Sequence, residues 1–173
     1  MVTDYKFKIC LVGEPAVGKT SLVKRFVYNV FSDFYLTTIG TNVYKKTVNV
    51  NGKKVDLIIW DIMGQETFRQ ILSTAYFYGA EALIAVGDLT REDTFIALPE
   101  WKNAALRVVN KEIPVVLLAN KSDLEWAVSE ETVNETGHEL SADATYITSA
   151  KTGENVNEAF IKVAELLLKN RNS

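Results

Sequence analysis

Gly13-Glu14-Pro15-Ala16-Val17-Gly18-Lys19-Thr20 stands between an apolar run, Phe7 to Val12, and a segment with helical apolar spacing at Leu22, Val23, Phe26 and Val27. This is the strand, loop and helix context of a phosphate-binding P-loop. Glycines let the backbone curl so that N–H groups point at phosphate oxygens, at the positive end of the following helix. Gly13, Pro15, Ala16, Val17, Gly18 and Ser21 are the candidate cradle; Lys19 is placed to reach the β- and γ-phosphates and the Thr20 hydroxyl to bind Mg²⁺.

Three further polar segments follow apolar runs. Asp61-Ile62-Met63-Gly64-Gln65-Glu66 comes after a strand pattern ending at Trp60. A carboxylate there, facing a P-loop, can hold Mg²⁺ directly or through water, and Gln65 can orient an attacking water. Gly64 allows its N–H to approach a γ-phosphate. Alone, Asp-x-x-Gly is a common turn; its position after a strand and a P-loop is what gives it meaning. Asn120-Lys121-Ser122-Asp123 follows Val115–Ala119. The Asp123 carboxylate can accept from N1–H and the exocyclic amino group of guanine, a donor pair adenine lacks. Lys121 can lie along the base plane, and Asn120 can tie neighbouring loops together. A polar turn capping the next helix is the bland alternative. Thr148-Ser149-Ala150-Lys151 ends the last strand pattern, with the Ala150 amide a candidate donor to guanine O6.

Short apolar runs alternate with longer helical patterns, which argues for a parallel sheet covered on both faces. The runs are Lys8–Val12, Ala82–Val86, Ile113–Ala119 and Thr145–Thr148, and the helical patterns cover about 18–29, 66–78, 92–110, 129–141 and 154–170. Pro99 should kink the third helix or mark a restart, and Pro114 sits at a strand start where it costs little. Thr41–Val50 alternates, Asn51-Gly52 favours a type I′ turn, and Lys53–Asp61 follows. The expected fold is therefore one α/β domain over residues 1–173, a P-loop NTPase domain. Its sheet is six-stranded, mostly parallel and doubly wound, with one antiparallel edge strand and five helices. In such sheets ligands bind outside the carboxyl ends of the strands, at loops 13–20, 61–66, 88–92, 120–124 and 149–153. All of these except 88–92 carry a recognisable chemical motif.

Composition narrows the partners. The 173 residues carry a net charge of −3, which gives no electrostatic reason to expect nucleic acid. The single cysteine, Cys10, permits no internal disulfide and, lying within the first strand, is expected to be buried and inert. No apolar run approaches the ~18 residues needed to span a bilayer. Neither a leader nor a prenylation signal is visible, so a cytoplasmic protein is expected, reaching a membrane only through a tail or partner outside this sequence. Trp101, Phe95 and Leu98 share a helical face and read as core; Trp126 reads as partly exposed packing, and His138 as a solvated helix residue. Lys45-Lys46 and Lys53-Lys54 read as lysines that protect an exposed edge strand.

Taken together, GxxxxGKT, DxxGQE, NKxD and SAK, in this order along residues 7–168, resemble the Ras superfamily of small GTPases. The resemblance is greatest to Rab proteins, through Thr38-Ile39-Gly40, Ile59-Trp60-Asp61, Gly64-Gln65-Glu66-Thr67-Phe68-Arg69 and Ala75-Tyr76-Phe77-Tyr78-Gly79-Ala80. It implies a switch that binds GTP or GDP with Mg²⁺ and hydrolyses GTP, in signalling or vesicle and membrane traffic. Thr38 is matched to the threonine that binds Mg²⁺ beside Thr20 and Asp61, Phe31 to the aromatic packed edge-on against guanine, and Tyr35 to the tyrosine that closes over the phosphates. Gln65, Lys19 and Thr38 are the implied catalytic set. An exchange factor, an activating protein and effectors are implied at switch I (32–43) and switch II (61–78), on a monomeric domain. The alternative is a GTP-binding scaffold with negligible hydrolysis.

Several positions depart from the Rab pattern. Asn42 and Val43 stand where an aspartate and phenylalanine are usual, Ile62-Met63 for Thr-Ala, and Gly87-Asp88 for Tyr-Asp. Val43 removes one aromatic from the effector surface that Trp60 and Tyr76 are expected to form. Pro15 replaces the usual glycine or serine nearest the γ-phosphate, where it would crowd an arginine finger or stiffen the loop. No arginine of the chain is evident as a finger in cis.

Overall fold

The computed structural model describes residues 3–32, 41–62 and 73–173. A six-stranded sheet runs in the order β2-β3-β1-β4-β5-β6, with β1 Tyr5–Val12, β2 Thr41–Val50, β3 Lys53–Ile62, β4 Ala82–Asp88, β5 Val115–Asn120 and β6 Ala144–Ile147. All neighbouring pairs are parallel except β2 with β3. This is the expected α/β class, and its strand boundaries fall within three residues of those read from the sequence.

Periodicity explains which strand lies where. Every residue of β4 and β5 is buried, as central strands covered on both faces require, whereas β2 alternates in exposure along the edge. In the β2–β3 connection Asn51 and Gly52 both have positive φ, 52° and 76°, the combination a type I′ hairpin turn demands. Across that hairpin Lys45 pairs with Asp56 at 2.9 Å, and the Thr47 hydroxyl donates to the same carboxylate at 2.6 Å.

Helices cover both faces. On one side α1 (Lys19–Tyr28) and α6 (Val156–Arg171) pack Leu22, Val23, Phe26, Phe160 and Val163 on the sheet. Phe26 and Phe160 stack there with centroids 4.3 Å apart. The other side holds α2 (Ser73–Phe77), α3 (Asp93–Ile96), α4 (Leu98–Val109) and α5 (Glu130–Glu139), burying Tyr76, Phe77, Phe95, Leu98, Trp101 and Val133. Cys10 lies in this second core, its thiol pushed up to about 12 by burial.

The third expected helix restarts at Ala97, dividing it into α3 and α4. Pro99 then occupies the first turn of α4, where its missing N–H has no intrahelical partner to lose. Counted through that restart, the helices among the described residues number five; positions 66–72 of the expected second helix lie outside the described residues. Among the described residues no helix is long and apolar enough to cross a membrane. The fold also accounts for Gly87: an added Cβ would lie 2.6 Å from the Phe95 ring, so that aromatic fills the space a larger residue would need.

Candidate functional site

β1 hydrogen-bonds to β3 on one side and β4 on the other, so the loop after β1 emerges between the carboxyl ends of those two strands. Such a point is where open α/β sheets hold ligands. Gly13–Thr20 occupies it. Gly18 adopts φ 102°, and a Cβ there would sit 2.3 Å from the Asn120 amide nitrogen, so only glycine fits.

The backbone of this loop is tied down carbonyl by carbonyl. Lys19 Nζ donates to the Gly13 and Glu14 carbonyls at 2.9 and 3.0 Å. Arg91 Nη2 donates to the Pro15 carbonyl at 2.8 Å, Lys121 Nζ to that of Ala16 at 2.7 Å, and Asn120 Nδ2 to that of Val17 at 3.0 Å. In a trans peptide the N–H points opposite the C=O. Fixing these carbonyls therefore fixes the directions of the N–H groups of Glu14, Ala16, Val17 and Gly18. Pro15 has none to offer.

Two buried carboxylates organise the cations. Asp88, fully buried, accepts from Lys121 Nζ at 2.8 Å, from Arg91 Nε at 3.2 Å, and from the Thr90 N–H and hydroxyl at 2.9 and 2.7 Å. Burial pushes its carboxyl pKa upward, but the bonds from Lys121 and Thr90 outweigh it and hold the carboxyl below its ordinary value. Asp61, also fully buried, accepts from the Thr20 hydroxyl at 2.5 Å through Oδ2. Its Oδ1 finds no hydrogen-bond partner among the described residues. Burial raises the Asp61 pKa, opposed by the Thr20 bond and nearby Lys19. Lys19 itself is lowered to about 8 by burial, against the pull of Asp61 and Glu14. An unpartnered buried carboxylate oxygen beside a hydroxyl at a helix N-terminus is a pair of hard oxygen donors, which fits a divalent cation such as Mg²⁺.

The 120–123 and 149–151 loops meet beside the phosphate loop. Asn120 is buried; its Oδ1 accepts from the Thr148 hydroxyl at 3.1 Å and the Ala150 N–H at 3.3 Å while its amide holds Val17. The expected donor to a base, the Ala150 N–H, is thus directed at Asn120 here. Asp123 lies exposed, with Oδ1 accepting from Ser149 Oγ at 2.7 Å. Arg25 of α1 donates to the Ala150 carbonyl through Nε at 2.8 Å and to that of Lys151 through Nη2 at 2.6 Å. Phe31 packs partly buried against the α1/α6 core.

The structure therefore brings Gly13, Pro15, Ala16, Val17, Gly18, Lys19, Thr20, Ser21, Asp61, Asn120, Lys121, Asp123, Ser149, Ala150 and Lys151 to one end of the sheet. Tyr35, Thr38, Gly64 and Gln65 lie outside the described residues. Sequence reading missed Glu14, Arg25, Asp88, Arg91 and Trp101, and treated loop 88–92 as carrying no chemistry. The available signal was positional: a charged loop at the end of β4 has to abut the loop after β1, β4's neighbour. Tyr76 also needs correcting. It is 2% exposed, and its hydroxyl donates to the carbonyls of Leu11 at 2.9 Å and Trp60 at 2.5 Å, so in this structure it is core rather than part of an exposed aromatic surface. Trp60 is half-buried instead beneath the Lys8 ammonium, 3.7 Å from its ring centroid.

A family model described as the Ras family matches residues 8–169. The chain is 41% identical over 167 residues to Ras-related protein SEC4 of Saccharomyces cerevisiae, covering 95% of this chain and 76% of that protein. It is 42% identical over 164 residues to human Ras-related protein Rab-30, covering 93% and 79%. To canine Ras-related protein Rab-13 it is 38% identical over 170 residues, covering 96% and 82%.

Proposed function

Because this chain belongs to the Ras family of small GTPases and is Rab-like, we propose that residues 1–173 form one G domain. It binds guanine nucleotide with Mg²⁺ and hydrolyses GTP to GDP as a molecular switch. The observation that carries this reading is the Asn120 bridge: its amide holds the Val17 carbonyl at 3.0 Å while its carbonyl oxygen accepts from the Ala150 N–H at 3.3 Å. One buried side chain thereby sets the spacing between a phosphate loop and a base-selecting pair of loops.

In this reading the amides of Glu14, Ala16, Val17 and Gly18 donate to phosphate oxygens, with Lys19 adding a positive charge to stabilise what develops in the transition state. Lys19 Nζ uses two of its three N–H donors on the Gly13 and Glu14 carbonyls, and in this reading the third turns to a phosphate oxygen. Thr20 and Asp61 hold Mg²⁺ together with Thr38, and the metal supplies charge neutralisation at the phosphates. Gln65 orients the attacking water, and Phe31 and Tyr35 flank the nucleotide. Asp123 selects guanine, assisted by Lys121, Ser149, Ala150 and Lys151, because adenine would leave its carboxylate without a donor pair. Arg91 is turned to a loop carbonyl, which supports a reading without that arginine as a finger in cis and with slow intrinsic turnover, on the order of 10⁻⁴ to 10⁻² s⁻¹.

The two states would be read by effectors at switch I and switch II and set by an exchange factor and an activating protein. A place in membrane traffic or signalling fits the Rab-related proteins the chain is similar to. Pro15, which withdraws one N–H from the cradle, favours a second reading as a GTP-binding scaffold with negligible hydrolysis. Identifying the co-purified nucleotide, competing GTP against ATP, and following single-turnover hydrolysis with and without Mg²⁺ separates these. Equal binding of ATP would refute the guanine reading, and bound GTP that persists through the assay would favour the scaffold.

A further inference from the structure

We propose that Arg91 is a positioning residue of the phosphate site: through the Pro15 carbonyl it aims the Ala16 amide. The inference rests on the reading above, that Gly13–Thr20 holds nucleotide phosphates, and adds a residue which no motif of the sequence supplies.

Pro15 has no N–H, so the row of donors in the loop is interrupted after Glu14 and resumes at Ala16. The Ala16 N–H shares a rigid peptide plane with the Pro15 carbonyl, and whatever holds one directs the other. Arg91 Nη2 holds that carbonyl at 2.8 Å. Ala16 itself is left-handed, at φ 64°, a conformation a residue with a Cβ adopts only when its surroundings enforce it. Two cations supply the enforcement, Arg91 on the carbonyl before Ala16 and Lys121 on the carbonyl of Ala16 at 2.7 Å.

The guanidinium is itself fixed. Its Nε donates to Asp88 Oδ2 at 3.2 Å, and the Arg91 backbone N–H donates to the Asp88 carbonyl at 2.9 Å. The same carboxylate binds Lys121 at 2.8 Å. Asp88 thus serves as a common post from which both cations reach adjacent peptide planes. Since Arg91 approaches from the carbonyl side of the loop, its effect on phosphate is through the backbone.

The test uses the whole chain loaded with Mg²⁺ and N-methylanthraniloyl-GDP, with the release rate followed after adding excess GDP, and ³¹P spectra of bound GDP recorded in parallel. Arg91→Ala should release nucleotide about tenfold faster, the loss expected for one charge-assisted hydrogen bond, and should shift the β-phosphate resonance. Arg91→Lys, whose ammonium can bond a carboxylate and a carbonyl together as Lys121 does, should return both readouts most of the way to wild type. Arg107→Ala, which removes an exposed partner of Glu100, should change neither. Should Arg91→Ala not fold, Arg91→Met keeps the aliphatic stem and gives the same comparison. Release within twofold of wild type with an unmoved β-phosphate resonance would overturn the proposal. If the wild-type chain holds ADP as well as GDP, the guanine assignment fails while the Arg91 comparison stands with ADP. Failure to hold either nucleotide would sink both.

Discussion

The indole N–H of Trp101 donates to the Glu14 carboxylate at 2.8 Å, across 87 positions of sequence. It joins the centre of the α4 core face to the phosphate loop. Trp101 has no exposed surface, while Glu14 is half-buried at the back of a site that reads as an anion cradle. The bond fixes where that negative charge sits. Trp101→Phe should keep most of the packing but leave the carboxylate without this donor, at a cost of about 1–3 kcal/mol. Urea unfolding of Trp101→Phe, Glu14→Ala and the double variant would give the coupling directly. Additive effects would show that the contact carries no energy.

Asp61 places a carboxylate oxygen without a hydrogen-bond partner among the described residues in the interior. Burying such a charge is costly unless something pairs with it. Asp61→Asn should therefore leave metal-free thermal stability unchanged or raised, while Mg²⁺ loses its ability to slow nucleotide release. Release rates measured with Mg²⁺ and with a chelator decide it. A variant that still responds fully to Mg²⁺ would exclude Asp61 from the metal site.

Asp88 gives a pH dependence with a definite sign. Its folded pKa lies below the ordinary 3.8, since its partners outweigh the opposing effect of burial. A lowered carboxyl contributes stability that is fully present above the unfolded value and is lost as pH falls through the folded one. Asp88→Asn should be less stable than wild type near neutrality, and the gap should narrow as pH falls below about 4. Urea titrations of both proteins between pH 7 and 3 test this; a gap constant over that range would assign the loss to packing.

Gln65→Leu should lose most GTP hydrolysis while nucleotide affinity is kept, because its proposed role concerns only the attacking water. Single-turnover hydrolysis beside an equilibrium binding curve checks both halves. Normal turnover in the variant would remove Gln65 from the mechanism.

Much of this protein is legible in one dimension. The runs Val115–Ala119 and Ala82–Val86 have no polar face to show water, which puts them inside a covered sheet. The alternation of Thr41–Val50 and the Asn51-Gly52 pair specify an edge hairpin by local sterics alone. Gly18, Lys19, Asp61, Asn120 and Asp123 announce themselves as candidates because the phosphate, metal and base chemistry proposed for them would need particular residue types at fixed distances from strand ends.

Tertiary structure alone decided what holds those groups in place. Arg91, Asp88, Trp101 and Arg25 belong to no motif, and each acts through a backbone carbonyl or a partner that is adjacent only once the strands are ordered. Arg91 lies 76 positions from Pro15, brought there because β4 pairs with β1. Tyr76 shows the same limit in reverse: its side chain is aromatic in any reading, but only the packing of α2 on the sheet determines that its ring is buried. Local sequence specifies groups whose chemistry is their own. Groups that work by orienting another part of the chain are specified by who their neighbours are, and that is a property of the folded sheet.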